Sequence, residues 1–173
     1  LVSRDLMIEN IPFLQTKYLT YADFAGEAID DIFTSDQLQS ATLRQVTEFA
    51  SVVLINNGNE TFTKKILPIE AQFSPIYSLL IDDINNDGFQ DLLTGGNFSG
   101  VPPDLGRYDA SYGEVFLGDG QGSFTPLHFQ TSGFIVNGEI RQMKKINTPN
   151  NQDRIMVARN NHTVAIFNRL KNK

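Results

Sequence analysis

One twelve-residue stretch carries the residue types and spacing that could do chemistry. In "DDINNDGFQDLL", Asp82 to Leu93, the side chains of Asp83, Asn85 and Asp87 alternate, Gly88 follows, and Asp91 comes four residues after Asp87. Counted from Asp83, side-chain oxygens fall at positions 1, 3, 5 and 9. The carbonyl of Phe89 at position 7 can turn inward, because Gly88 lets the backbone double back. Hard oxygen donors, three of them carboxylates, suit Ca2+, which takes about six to eight oxygens at roughly 2.3–2.6 Å; Mg2+, with its stricter octahedron, is second choice. The alternative is a solvated Asx-rich turn without metal. Repulsion among carboxylates crowded into one turn favours a neutralising cation. An EF-hand is excluded, because Thr94 stands where a bidentate Glu would be required and the flanks "IYSLLI" and "DLLTG" favour strands over helices. Asp82 points away from Asp83 if the strand runs this far, and is left out of the ligand set.

The elements around this loop read as strands. "FASVVLINNGNETFTKKIL" is two β-rich runs around Asn57-Gly58, a hairpin signal, and "GEVFLGDGQGSFTPL" is built alike around Asp119-Gly120. A shift of 62 residues lays Gly58 on Gly120, Phe62 on Phe124 and Thr63 on Thr125. The same shift lays Ile84 on Ile146, Asn85 on Asn147, Gln90 on Gln152 and Asp91 on Asp153. This is an internal repeat. In its second copy the loop reads "KINTPNNQD", with Lys145 and Pro149 where acids stood, so that copy is expected to be empty and one site per chain is expected. Each unit reads as four short antiparallel strands, the blade pattern of a β-propeller, and two units cannot close a ring. A long Gly/Pro-rich stretch, Gly95 to Gly113, accounts for the length of the first unit.

Residues 1–42 are expected to form a helical lead-in, residues 43–112 the repeat with the acidic loop and long insertion, and residues 113–173 a second, degenerate repeat. "TYADFAGEAIDDIF" places Tyr21, Phe24, Ala25, Ala28, Ile29, Ile32 and Phe33 on one face of a helix, capped by Thr20 with Asp23, and the stripe is expected to pack into the core. A shorter helix precedes it, capped by Ser3 and interrupted at Pro12. The fold class expected is mainly β with N-terminal helices, its strands in antiparallel propeller-type blades of an incomplete propeller.

"FSPIYSLLIDDINNDGFQDLLTGGN" resembles the FG-GAP (VCBS) repeat of integrin α-chain propellers and bacterial surface proteins. Phe73 starts the phenylalanine element, with Ser74 departing from its glycine, and Gly95-Gly96-Asn97 takes the place of the "GAP" element. "GRYDASYGEVFLGDGQGSF" further resembles the C-terminal part of bacterial surface proteins related to cartilage acidic protein. The resemblance implies a calcium-stabilised β-propeller on an exported or surface protein, used for binding. Its metal positions carry over to Asp83, Asn85, Asp87, Phe89 (through its carbonyl) and Asp91; no ligand-binding residues carry over.

The 173 residues carry a net charge of −6 and no Lys/Arg cluster, which disfavours nucleic acid and anionic membranes as partners. No apolar run is long enough to cross a bilayer. Cysteine is absent, and with only two histidines, His128 and His162, a histidine-based zinc site would need help from carboxylates. The chain opens "LVSRDLMIEN" without initiator Met or signal-like segment, and is expected to be a piece of something longer. No nucleophile elbow, phosphate-binding loop, dinucleotide fingerprint or zinc-protease motif is present. Carboxylates for glycoside hydrolysis could come from Asp104, Asp109 and Glu114, whose other reading is a solvated loop. Arg107, Tyr108, Asp109 and Tyr112 gather in the insertion, either as a partner-binding loop or as groups that tie it down. The function expected is a noncatalytic, Ca2+-binding module serving protein or glycan binding or adhesion, located extracellularly, at the cell surface or in the periplasm. Self-association through blade edges is a further expectation. The alternatives are a domain of a secreted carbohydrate-active enzyme and a purely structural propeller segment.

Overall fold

A computed structural model describes residues 2–148 and 153–168. The chain divides into two compact units, residues 1–47 and 48–173.

The first unit holds five short helices: α1 (Arg4–Asn10), α2 (Leu14–Lys17), α3 (Tyr21–Phe24), α4 (Ile29–Ile32) and α5 (Ser35–Ser40). Ser3 caps α1 by accepting from the Leu6 amide, and Pro12 falls between α1 and α2. Thr20 and Asp23 form a reciprocal capping box on α3. The single helix expected over residues 20–33 is instead two four-residue helices, with Gly26 (φ +89°) between them. Helices of one turn cannot present a sustained stripe, and Tyr21 and Ile29 remain 64% and 61% exposed. The buried pair is Leu14 and Tyr18. The Tyr18 ring meets Phe24 edge-on at 5.3 Å, its hydroxyl donates to Glu27, and its carbonyl accepts from the Arg4 guanidinium.

The second unit is β, in three antiparallel sheets with no barrel closure among the described residues. β1 (Val52–Gly58) and β2 (Thr61–Ile66) form a hairpin. β3 (Ile76–Asp82), β4 (Asp91–Gly96), β5 (Glu114–Gly118) and β6 (Phe124–Leu127) form a four-stranded meander. A one-turn helix, α6 (Phe129–Ser132), leads to a second meander of β7 (Ile140–Ile146), β8 (Arg154–Arg159) and β9 (Ala165–Asn168). The protein is mainly β.

The hairpin turn lies one step beyond its sequence signal. Asn59 and Glu60 are the left-handed pair (φ 50° and 59°) and Gly58 already pairs with Thr61, so Asn57 is the extra residue of a bulge. In the β5–β6 turn the Asp119 carboxylate accepts from the amides of Gln121 (2.7 Å) and Ser123 (2.9 Å). Those two bonds, that of Ser123 ahead of that of Gln121, lower its pKa.

Strand register shows what repeats. Asn56 pairs with Phe62 as Gly118 pairs with Phe124, which is the 62-residue shift. In the strand pairs the shift is larger. Both pairs carry the same register break, after Ile76 in β3 and after Ile140 in β7, so these two isoleucines, 64 residues apart, are equivalent. Lys145 therefore lies inside β7, paired with Ile155, and does not occupy the first position of a second loop. Its ammonium sits between Asp82 (2.9 Å) and Asp153 (3.1 Å), and the hydrogen bond to Asp82 leads in raising its pKa. Pro149 and Gln152 lie outside the described residues. The sheets also regroup the repeat: β3–β4 joins the β5–β6 hairpin that follows it and β7–β8 joins β9, giving in chain order a two-stranded, a four-stranded and a three-stranded sheet.

That stacking explains the leucine pair after the acidic loop. Neighbouring residues of a strand face opposite ways. Leu92 packs with Leu67, Ala71 and Phe116, while Leu93 packs with Val115, Phe134, Val136, Ile140, Met143 and Val157. β4 is thus buried along its whole length and reads as a continuous apolar run. Each such large side chain contributes about 1.5–3 kcal/mol of burial. Between the two meanders, Ser78 Oγ accepts from the Met143 amide at 2.8 Å, and a Cβ at Gly95 would stand 2.6 Å from Ile140 Cγ2, so only glycine lets the sheets approach this closely.

Candidate functional site

β4 begins at Asp91 and ends at Gly96, so the acidic loop and the long insertion leave opposite ends of one strand. Its six residues separate them by about 20 Å at roughly 3.3 Å per residue.

At the first end, residues 83–91 wind into consecutive Asx turns. Asp83 accepts from the amides of Asp87 (3.1 Å) and Gly88 (3.0 Å), Asn85 from Asp87 (3.0 Å), and Asp87 from Phe89 (2.8 Å). The Asn85 amide nitrogen also donates to the second oxygen of Asp87 at 2.8 Å. Asp91 is wholly buried, at 0% exposure. One of its oxygens accepts from the amides of Ile84 (2.8 Å) and Asn85 (3.4 Å), the other from Gly118 of β5 (2.9 Å). No lysine or arginine pairs with Asp91 among the described residues. The Phe89 ring lies over Gly120 in the β5–β6 turn. Asp82 is turned to Lys145. Among the described residues, no three His, Asp or Glu side chains stand close enough together to hold a metal ion. Asp91 faces backbone amides, and the side chains of Asn85 and Asp87 bond to each other. The donor types on this turn, carboxylates and an amide oxygen, are of the kind a hard divalent cation takes.

At the other end the insertion closes over a cleft of about 500 Å3. Phe98 and Tyr108 exchange backbone hydrogen bonds at 2.8 and 2.9 Å, which makes the segment extended there. Alternate residues of an extended segment face the same way. Arg107 and Asp109 accordingly border the cleft with Tyr112, and Tyr108 does not. Of the three carboxylates considered for hydrolysis only Asp109 borders it: Asp104 lies in the short turn Pro103–Leu105, and Glu114 pairs with Thr94 within the sheet. Burial raises the Glu114 carboxyl, against a weaker opposing bond from Ser111.

The cleft floor comes from Asn97, of the Gly95-Gly96-Asn97 element, and from Glu139, which no motif marked. Asn97, buried and left-handed (φ 78°), donates to the carbonyls of Ser111 (2.6 Å) and Gly138 (3.0 Å) and accepts from the Ser111 amide. Glu139 accepts from the Ser99 amide, from Asn160 and from Arg141. Its hydrogen bonds to Ser99 and then Asn160, with a smaller one to Arg141, pull its pKa down to about 2. Arg141 in turn lies over Tyr77 at 4.4 Å and Phe98 at 5.9 Å. The signal that could have located these groups is the run Asn160-Asn161-His162, which joins β8 to β9 as the long insertion joins β4 to β5.

Over 102 residues the chain is 26% identical to integrin alpha-8 of Gallus gallus, a match covering 56% of this chain and 10% of that protein. The chain thus spans about a tenth of that relative's length. No family model matches, and no solved structure matches. The chain is similar, over this stretch, to an integrin alpha chain.

Proposed function

We propose that this chain is a noncatalytic binding module of propeller type, acting outside the cell or at its surface, with one Ca2+ held by the loop from Asp83 to Asp91. Asp83, Asn85 and Asp87 would supply side-chain oxygens, Phe89 its carbonyl and Asp91 its carboxylate. The observation that carries this reading is Asp91: a wholly buried carboxylate that, among the described residues, is compensated by three backbone amides and no cationic side chain, in a turn that also carries Asp83 and Asp87. Taking an anion out of water costs several kcal/mol, and a nearby cation offsets that cost. A bound cation would replace the side-chain bond between Asn85 and Asp87 and draw the two side chains onto itself. The ion supplies charge neutralisation and a fixed loop, no reaction step. The similarity to an integrin alpha chain supports the reading of the module as extracellular and adhesive, its partner a protein or a glycan.

Thermal melting tests this. With a Kd of about 10⁻⁴ M and ~1 mM Ca2+, linkage gives roughly 1.4 kcal/mol, a rise in Tm of about 3–6 °C that EDTA abolishes. Melting indifferent to both would overturn the calcium assignment.

A further inference from the structure

The cleft at the far end of β4 carries chemistry that the calcium loop does not use. Its floor and rim are built differently. On the floor, Asn97 and Glu139 are committed to bonds within the fold. On the rim, Arg107, Asp109, Asn161 and His162 have no hydrogen-bond or ion-pair partner among the described residues. Tyr112 borders the cleft and is 55% exposed. His162 is held in place by close approach: a Cβ on Gly138 would stand 3.1 Å from its ring, and Gly138 also has a left-handed φ of 92°. The volume, about 500 Å3, lies within the range of roughly 300–1,000 Å3 usual for small-molecule sites. Such sites are mostly apolar; here nearly every lining side chain is polar.

The lining narrows the ligand class. A phosphate or other strong anion would need a cluster of cations, whereas Arg107 shares the cleft with the carboxylates of Asp109 and Glu139. A peptide anchored by a hydrophobic side chain would need an apolar pocket. A sugar has hydroxyls that each donate and accept, and one carbon-rich face. Amides do both, guanidinium and carboxylate supply donors and acceptors separately, and an aromatic ring supplies the apolar surface.

We propose that this cleft binds a neutral glycan, one or two sugar rings in size, with Arg107, Asp109 and Asn161 bonding its hydroxyls and Tyr112 packing against a ring face. This deepens the binding-module reading and rests on it, but not on the calcium loop. Saturation-transfer NMR on the 173-residue chain, with the methyl glycosides of glucose, galactose, mannose and N-acetylglucosamine, and with maltose and lactose, tests it. Transfer to at least one sugar is expected, with affinity weakened tenfold or more in both Tyr112→Ala and Asp109→Ala and melting unchanged. Both residues are exposed, so neither variant should unfold the chain. Absence of transfer to every sugar from a chain that melts as a folded protein would overturn the proposal. So would binding that survives both substitutions, or inorganic phosphate displacing the sugar. Ca2+-dependent melting without sugar binding sinks this inference alone; sugar binding with EDTA-insensitive melting sinks the calcium assignment alone.

Discussion

The two ends of β4 treat charge in opposite ways. At Asp91 a buried carboxylate is enclosed by amides of its own loop, Ile84 and Asn85, and of Gly118 in β5. At Gly96 the chain leaves into an insertion whose charged residues, Arg107 and Asp109, meet solvent with no partner among the described residues. Interior anions must be compensated or they unfold the protein; exposed, uncommitted ones are what a ligand can recruit. On the reading proposed above, the acidic end does structural work and the other end recognition, with the buried strand β4 between them.

Substitution at Asp91 should cost the fold most. Asp91→Ala leaves the amides of Ile84, Asn85 and Gly118 without their acceptor, at about 1–3 kcal/mol each. Denaturant unfolding should show a loss of about 3 kcal/mol or more even in EDTA. A loss below about 1 kcal/mol would mean that Asp91 does not organise the turn.

A smaller effect sharpens the other end. The folded-state pKa of Glu139 lies at about 2, below the ordinary 4.5. Its carboxylate therefore adds stability that is complete above pH 4.5 and lost as pH falls toward 2. The stability difference between wild type and Glu139→Gln should accordingly shrink over that window. A difference that stays constant with pH would show that Glu139 does not anchor the cleft floor as an anion.

The tight turn between β3 and β4 was legible in the sequence, because local spacing encodes it. Alternating oxygens, a glycine and flanking β-formers all lie within twelve residues, and the turns they form are local. Ser3 and the Thr20–Asp23 box were legible for the same reason. The helix over residues 20–33 was not, because the apolar stripe runs through Gly26 without a break in period while the backbone breaks there. The turn at Asn59-Glu60 was displaced because a bulge at Asn57 absorbs one residue, and bulges leave no trace in composition. A single gapless shift placed Lys145 in a loop, whereas matching register breaks place it in β7, between Asp82 and Asp153. The cleft was half legible. Arg107, Asp109 and Tyr112 stand in an insertion that invites attention, but Glu139, Asn160 and His162 reach the same place through β7, β8 and β9, a juxtaposition only the tertiary fold creates.

Calcium titration by isothermal calorimetry, on the wild type, Asp87→Ala and Asp109→Ala, tests the division of labour most directly. One Ca2+ per chain is expected, with a Kd of about 10⁻⁴ M, unchanged in Asp109→Ala and lost in Asp87→Ala. Binding that is absent from the wild type, or that persists in Asp87→Ala and disappears in Asp109→Ala, would contradict it.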